Sequence, residues 1–264
     1  MLKINNLSKT FHRNTANERV AIDDFSLTLS DGEFVTLIGS NGSGKSTLFN
    51  LIGGSFFPDD GHILLDSLDI TFEEQHKRAK DIGRLFQDPL MGTAPSLTIE
   101  ENLSLCYMRS KEKAFSFGTT KKDLEFFRSK LSMLELGLED RMKTKMGLLS
   151  GGQRQAVTLL MCTLVTPKLL LLDEHTAALD PATAQKVLDI TNKIITENKI
   201  TTMMITHNIS SALTMGERTI MLDSGKIILD IKGDERKDMT IEKLLKMFHS
   251  VSNKTVLSDR MLLS

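Results

Sequence analysis

The stretch Phe34-Val35-Thr36-Leu37-Ile38-Gly39-Ser40-Asn41-Gly42-Ser43-Gly44-Lys45-Ser46-Thr47 decides the fold of this chain. Residues 34–38 form a nearly continuous apolar run, which is typical of a strand buried in a parallel sheet. Residues 39–47 fit the pattern Gly-x-x-x-x-Gly-Lys-(Ser/Thr), and Thr47 to Ile52 indicates a helix. A strand, a glycine-rich loop and a helix in this order predict a phosphate-binding loop.

The residue types of this loop suit a polyphosphate. Glycines let the backbone curl so that successive N–H groups point inward, and the following helix adds the positive end of its dipole. Lys45 is expected to reach the β- and γ-phosphates, and Ser46 to offer its hydroxyl to Mg²⁺. The predicted nucleotide-binding residues of the loop are Gly39, Ser40, Asn41, Gly42, Ser43, Gly44, Lys45, Ser46 and Thr47.

The loop alone indicates only a nucleotide-binding protein, since kinases, GTPases, helicases and transport ATPases share it. The sequence has no Asn-Lys-x-Asp motif, which disfavours a GTPase. Its net charge of -1 gives no overall field that would attract nucleic acid, so we expect no nucleic-acid partner.

Composition is ordinary for a globular protein, with 264 residues, of which 40% are hydrophobic. Cys106 and Cys162 lie among apolar residues, which predicts buried thiols in a reducing cytoplasm. No signal peptide is evident, and the apolar stretches fall short of the ~18 residues of a spanning helix. We therefore expect a soluble chain that meets a membrane only through a partner.

The rest of the chain alternates between predicted strands and helices, which favours a mainly parallel α/β sheet. Helical spacing of apolar residues between Leu90 and Leu138 predicts an inserted helical lobe. An amphipathic helix is expected from Ile241, with Leu244, Leu245 and Phe248 on the same face. Further strands are predicted at Val20–Leu29, Leu169–Leu172, Ile200–Thr206, Thr219–Leu222 and Lys226–Leu229.

A run of four aliphatic residues, Leu169 to Leu172, ends in the two carboxylates Asp173 and Glu174. A buried strand that ends at Asp173 would deliver one carboxylate to a Mg²⁺ ion. Glu174 would then be placed to orient or deprotonate an attacking water. The alternative is a strand end with two solvated acids.

The segment Leu149-Ser150-Gly151-Gly152-Gln153 resembles the signature motif of the ABC ATPase superfamily. As a local feature it would begin a helix, because Ser150 is a competent N-cap. In the family, this motif grips the γ-phosphate of a nucleotide that the other subunit holds. The resemblance therefore implies a dimer in which Ser150, Gly151, Gly152 and Gln153 bind nucleotide in trans.

The resemblance extends to several single residues. Gln87 lies where the family has a glutamine that meets Mg²⁺ and water, and His207 fits the switch histidine that contacts the γ-phosphate. Asp180 fits the D-loop that crosses the dimer interface. Phe11 fits the aromatic that stacks on adenine, although it could instead be an edge-strand aromatic that packs on the core. His175 stands where the family usually has proline, and we expect it to leave hydrolysis intact.

The resemblance implies an α/β P-loop NTPase fold, with a RecA-like core, an antiparallel β edge and an inserted α-helical lobe. The expected ABC ATPase domain spans residues 1–240, and a helical tail follows at 241–264. Within the domain, the core is expected at 1–89 and 166–240, and the helical lobe at 90–165.

The resemblance implies that the chain hydrolyses ATP with Mg²⁺ as cofactor. ATP would drive closure of a homodimer, and this closure would power transport. The expected location is the cytoplasmic face of a membrane, as a peripheral partner of an integral permease. A chain without fused spans, and without an acidic stretch before the signature, favours an importer with an extracytoplasmic substrate-binding protein. Residues 92–98 and 173–180 look like a subgroup linked to tryptophan or tyrosine uptake. The alternative is a soluble ABC ATPase that acts in cofactor assembly without transport.

Overall fold

The computed structural model describes residues 1–110 and 119–251, and the chain divides into two compact units. The first unit contains Met1–Ile82 and the chain from Lys199 onward, and the second contains Gly83–Asn198. The predicted helical lobe, residues 90–165, lies within the second unit. The predicted limits of the domains themselves stay a prediction.

The elements of the first unit are mostly strands. The strands are β1 (Leu2–Phe11), β2 (Arg19–Leu29), β3 (Phe34–Gly39), β4 (Asp60–Leu65), β5 (Leu68–Asp69), β8 (Thr202–Ile205), β9 (Arg218–Asp223) and β10 (Lys226–Lys232). The helices are α1 (Lys45–Gly53), α2 (Gln75–Arg78), α7 (Ile209–Thr214), α8 (Gly233–Lys237) and α9 (Ile241–Val251).

The second unit is mostly helical. Its strands are β6 (Ile82–Leu85), which begins at the unit boundary, and β7 (Leu169–Asp173). Its helices are α3 (Ile99–Ser110), α4 (Lys121–Ser132), α5 (Gly151–Thr163) and α6 (Pro181–Asn198), with short 3-10 turns at Pro89–Gly92 and Met146–Leu148.

The sheet that carries the phosphate loop has the order β10-β9-β3-β8 within the first unit. Strand β3 is parallel to both of its neighbours, with Leu37 opposite Ile205 on β8 and opposite Ile220 on β9. All residues of β3 are buried, which explains its continuous apolar run. Strand β10 pairs antiparallel with β9 and forms the predicted antiparallel edge, although it runs to Lys232, past the predicted end at Leu229.

A second, antiparallel sheet in the first unit has the order β2-β1-β4-β5. Of its strands, only β2 follows from the sequence patterns. Strand β1 was missed because its pairing register shifts between Ile4 and Leu7, so that its buried residues do not alternate regularly. Such a bulge inserts an extra residue and moves the apolar positions out of the period of two.

The helices of the second unit pack on one another, and the unit also contains a buried strand. Strands β6 and β7 are neighbours, and the four leucines of β7 are fully buried. Helix α4 forms where the apolar spacing predicts one, and it buries Phe127 and Leu131. Leu134 is also buried but follows the end of α4, and Leu124 is only half-buried.

Within the first unit, the tail helix α9 packs through Leu244 and Leu245 of its predicted apolar face. Leu244 is fully buried in a cluster with Ile38 of β3 and Ile209 of α7. Ile241 lies at the first turn of α9 and is 42% exposed, so its membership of the same face stays a prediction. The side chain of Phe248 lies outside the described part of the chain.

Two expectations from composition can be compared with the structure. Throughout residues 1–110 and 119–251, no helix is long and apolar enough to cross a bilayer. Cys106 and Cys162 form no disulfide, but both are half-buried rather than buried. Cys162 lies near the end of α5, where its thiol donates to the carbonyl of Arg84 at 3.2 Å and keeps part of its surface exposed.

Candidate functional site

The phosphate loop joins β3 to α1 and holds a lysine inside its curl. The ammonium of Lys45 donates to the carbonyls of Gly39 at 2.7 Å and Ser40 at 3.0 Å, and the residue is 5% exposed. Helix α1 begins at Lys45 with no acidic residue in its first turn, and Ser46 is exposed there. A buried cation and a helix N-terminus without an acidic side chain are features that favour an anion.

Two glycines of this loop are required by close backbone contacts. Gly39 has φ +150°, and a Cβ there would lie 2.3 Å from the carbonyl oxygen of Leu222. Gly44 has φ +108°, and a Cβ there would lie 2.4 Å from the carbonyl oxygen of Ala21. Only glycine fits both the backbone angles and the space. The curl of the loop therefore depends on backbone that other side chains cannot replace.

His207, which the sequence predicts as the switch histidine, lies near the phosphate loop in the first unit. Strands β3 and β8 run parallel with Leu37 opposite Ile205, and Gly39 and His207 each lie two residues farther along. Both residues are therefore at the carboxyl edge of the sheet, where α/β proteins bind ligands. Helix α7 follows His207 directly, capped by Asn208, whose side-chain oxygen accepts from the N–H of Ser211 at 2.8 Å.

Phe11 lies at the end of β1, half-buried, at a partly exposed aromatic pair. Its ring meets that of Phe56 edge-on at a centroid distance of 5.5 Å, and Phe56 is itself 41% exposed. Opposite Phe11 on β2 is Arg19, which donates to the carbonyl of Gly42 at 2.8 Å. Sequence reasoning missed Arg19, because no motif links it to the phosphate loop. A hydrogen bond thus links β2, the strand paired with β1 at Phe11, to the phosphate loop.

The two predicted site carboxylates, Asp173 and Glu174, lie at the end of β7 in the second unit. The side chain of Asp173 is 13% exposed, and a guanidinium nitrogen of Arg84 on β6 lies 3.5 Å from its carboxylate. The guanidinium of Arg84 also stacks on the ring of Phe86, at 4.7 Å from the centroid. Burial lowers the pKa of Arg84, and the charge of Asp173 opposes that shift. Asp173 is therefore not a solvated acid, and sequence reasoning missed its cationic neighbour.

The residues that follow Asp173 form a tight, partly buried turn. Glu174 has φ +46°, and the N–H of Ala177 donates to its carbonyl at 3.0 Å. His175 is 3% exposed, with its Nε2 3.2 Å from the hydroxyl of Thr191 on α6. Burial lowers the pKa of His175 to about 4, so its imidazole is neutral at neutral pH.

The signature segment begins α5 with a capping box. The hydroxyl of Ser150 accepts from the N–H of Gln153 at 3.3 Å, and the Gln153 side chain accepts from the N–H of Ser150 at 3.2 Å. Ser150 and Gly151 are exposed, whereas Gly152 is buried against α6. A Cβ on Gly152 would lie 2.1 Å from the methyl carbon of Thr183, so the close approach of these helices requires glycine there.

The remaining two predicted site residues are also in the second unit. Gln87 is exposed on the segment between β6 and the turn at Pro89–Gly92. The carboxylate of Asp180 accepts from the N–H of Thr183 at 3.1 Å and so caps the start of α6. Hydrogen bonds from the side chain of Thr183 and then from its backbone N–H lower the pKa of Asp180. Asp180 thus fixes the end of the turn that begins at Glu174.

The donor atoms of the predicted metal ligands fit a hard cation. The Ser46 hydroxyl belongs to the first unit, and the Gln87 amide and Asp173 carboxylate belong to the second. The part of the chain that the structure describes contains no group of three His, Cys, Asp or Glu residues that could hold a metal. Mg²⁺ usually binds one or two carboxylates together with substrate phosphates and waters. Each of these oxygen donors, taken separately, is of the kind that Mg²⁺ binds in proteins.

Comparison with known proteins gives a consistent match. The sequence model of a family described as ABC transporter matches residues 22–177. The tyrosine transport ATP-binding protein of Clostridioides difficile (strain R20291) is 45% identical over 252 residues, which are 94% of this chain and 98% of that protein. The energy-coupling factor transporter ATP-binding protein EcfA2 of Clostridium tetani (strain Massachusetts / E88) is 31% identical over 246 residues, 87% of this chain and 78% of that protein.

Solved structures give the same match at the level of the fold. A dimeric ATP-binding cassette in a post-hydrolysis state, bound to ADP and Pi, superposes with a TM-score of 0.75 at 30% identity. The alignment covers 88% of this chain and 98% of that one. An ATP-binding cassette of an ABC transporter in its ADP conformation has a TM-score of 0.77 at 26% identity, covering 94% and 98% of the two chains.

Proposed function

The chain belongs to the ABC transporter family as an ATP-hydrolysing subunit that powers transport, and from this premise we propose that it serves an importer of aromatic amino acids. Tyrosine is the first candidate substrate, because a relative described as a tyrosine transport protein is 45% identical over nearly the whole of both chains. No observation favours the alternative of an assembly ATPase without transport. The transported substrate is recognised by other subunits, so this chain's own residues do not report it.

The observation that carries the ATP chemistry is the position of Lys45 within the curled loop at the start of α1. We infer that residues 39–47 bind the phosphates of ATP and that Phe11 stacks on the adenine. Ser46, Gln87 and Asp173 would hold Mg²⁺, which offsets the phosphate charge when bound. Glu174 would orient or deprotonate the attacking water, and His207 would contact the γ-phosphate.

ABC ATPases form dimers and pair with membrane permease subunits, and a solved relative of this chain is dimeric. We propose a homodimer in which Ser150, Gly151, Gly152 and Gln153 of one copy contact the nucleotide held by the other. Asp180 would lie at their interface. The exposed Ser150 and Gly151 support this arrangement, since both can reach a ligand outside their own copy. The proposed assembly lies at the cytoplasmic face of the membrane with a permease and an extracytoplasmic substrate-binding protein.

Capture of the partners tests the transport role. The Glu174→Gln variant, which we expect to bind ATP without hydrolysing it, is used with MgATP to capture proteins from detergent-solubilised membranes of the native host. Mass spectrometry should then identify a multi-span permease, and the same capture without nucleotide is the control. Recovery of soluble partners alone, at good yield, would favour the assembly ATPase.

Uptake measurements test the substrate. The gene is deleted in the native host and restored either as wild type or as Glu174→Gln, and uptake of labelled tyrosine, tryptophan and lysine is compared. We expect loss of tyrosine or tryptophan uptake in the deletion, recovery with wild type, and no recovery with the variant. Unchanged uptake of both aromatic amino acids would remove the proposed substrate class but leave the ATPase assignment in place.

A further inference from the structure

We propose that His175 is a positioning residue for ATP hydrolysis, because its hydrogen bond to Thr191 fixes the backbone that presents Glu174. The inference rests on the proposed role of Glu174 as the group that activates water. His175 and Thr191 would act through Glu174 and need not contact the nucleotide.

Glu174 has a backbone conformation that needs support. Its φ of +46° lies in the left-handed region, which residues with a β-carbon seldom adopt. Such a conformation persists only where the surrounding structure holds it. The N–H of Ala177 donates to the Glu174 carbonyl, but this turn bond is local to the strained segment. A restraint from outside the turn would stabilise this conformation further.

The side chain of His175 provides such a restraint. The side chain of His175 is buried next to Glu174, and its Nε2 lies 3.2 Å from the hydroxyl oxygen of Thr191. Thr191 is fully buried near the middle of α6. Helix α6 is 18 residues long, so its central turn is a firm support for the short turn at residues 174–180.

The hydrogen bond between His175 and Thr191 has one direction. The hydroxyl of Thr191 lies 2.8 Å from the carbonyl of Val187, one turn earlier on α6, and donates its single hydrogen there. The oxygen of Thr191 must then accept from His175, so Nε2 carries the hydrogen. His175 is thus held in one tautomer, and a side chain without a donor at this position cannot replace it.

The turn at residues 174–180 is held at both ends. His175 binds Thr191 at one end, and Asp180 accepts from the N–H of Thr183 at the other. Both supports belong to α6, within the second unit. Release of the His175 end would free Glu174 to relax from its left-handed backbone while the Asp180 end stays fixed. A carboxylate that must meet one water would then be displaced, which lowers the rate of hydrolysis without altering ATP binding.

The experiment uses the full chain and separates position from fold. Thr191→Val removes the hydroxyl and keeps the shape, whereas Thr191→Ser keeps the hydroxyl. His175→Leu removes the donor, whereas His175→Gln carries an amide N–H close to the place of Nε2. Steady-state ATPase assays give kcat and KM for ATP, and thermal unfolding of each variant fixes an assay temperature well below its midpoint.

We expect Thr191→Val and His175→Leu each to lower kcat about fivefold or more with KM unchanged, since small misplacement of a catalytic group is costly. The double variant should be no slower than the slower single variant, because both remove one interaction. Thr191→Ser and His175→Gln should recover most of the rate. If His175→Leu does not fold, the Thr191 pair alone decides the matter.

A Thr191→Val variant with wild-type kcat would overturn the proposal, and so would rate losses that multiply in the double variant. A lowered unfolding midpoint with unchanged kcat would assign His175 a structural role only. Failure of the underlying assignment gives a different result, since Glu174→Gln would then hydrolyse ATP at the wild-type rate whatever the Thr191 variants do.

Discussion

The phosphate loop of the first unit and the carboxylate and signature segments of the second unit are held in place in different ways. At Gly39 and Gly44, the atoms that exclude a side chain are the carbonyl oxygens of neighbouring strands. At Gly152, the excluding atom belongs to the side chain of Thr183, and Asp173 and His175 are also positioned by side chains, Arg84 and Thr191. At these positions, backbone atoms therefore constrain the phosphate loop, whereas side chains constrain the second unit.

This difference has a consequence for mutation. A backbone contact cannot be relieved by a second substitution, because every residue has the same carbonyl. A side-chain contact can be relieved by trimming the partner, so double variants should recover in the second unit and fail to recover in the first.

The largest effect is expected at Glu174, whose loss removes the proposed activating group rather than its support. Glu174→Gln should lower kcat by roughly 10²- to 10⁴-fold, the usual contribution of a general base. ATP binding should persist, and the ATP-bound dimer should be more stable than that of wild type. Phosphate-release assays measure the rate, and size-exclusion chromatography with ATP measures the dimer. The exposed Glu197, changed to Gln on α6, is the matched control, and a wild-type rate for Glu174→Gln would contradict the assignment.

The next effect tests the backbone-held region. Gly44→Ala should lower the free energy of unfolding by about 3 kcal/mol, from a strained φ and a clash with the carbonyl of Ala21. ATP binding should weaken at least as strongly, because the loop must open to accept the methyl group. Thermal unfolding and titration with a fluorescent ATP analogue measure the two effects.

Gly233→Ala is the matched control for this variant, since Gly233 has φ +61° with open space around its Cβ. It carries the milder cost of an ordinary left-handed φ and no clash, so it should destabilise less and leave ATP binding unchanged. Equal effects of the two substitutions on unfolding would show that the contact with Ala21 contributes nothing.

A smaller and reversible effect is expected in the side-chain-held region. Gly152→Ala should lower the free energy of unfolding by about 2 kcal/mol, because its new methyl overlaps the methyl of Thr183. Thr183→Ser removes that methyl and keeps the backbone N–H that Asp180 accepts from, so the double variant should recover most of the loss. Chemical denaturation of wild type, both single variants and the double variant measures the coupling. Additive losses would remove the distinction between the two regions.

The same contrast explains what the sequence could predict. The phosphate loop is readable because its glycines, Lys45 and the flanking strand and helix are contiguous, and the fold they predict is confirmed by the match to solved cassettes. Positions set by side-chain partners are not readable, because Arg84 and Asp173 are 89 residues apart in the chain. Arg84, Arg19 and the role of Thr191 were therefore missed.

His175 shows how a departure from a pattern can be informative. The sequence indicates only that histidine replaces a usual proline after Glu174, and proline would restrict the backbone of the residue before it. The structure adds the burial of His175 and its contact with Thr191, neither of which follows from local sequence. Hydrolysis can remain intact, as expected from the sequence, if this contact takes over the shaping of the turn.

The smallest expected effect concerns Phe11, where two interpretations of one aromatic residue remain open. If Phe11 stacks on adenine, Phe11→Ala should raise KM for ATP about fivefold, since an aromatic contact contributes roughly 1 kcal/mol. Phe11→Tyr keeps the ring and should restore KM. If Phe11 instead serves only to pack on Phe56, KM stays unchanged, and Phe11→Ala and the matched control Phe56→Ala should lower the unfolding midpoint by similar amounts. A raised KM in Phe11→Ala but not in Phe56→Ala would assign the ring to nucleotide, because only the first variant removes the stacking face.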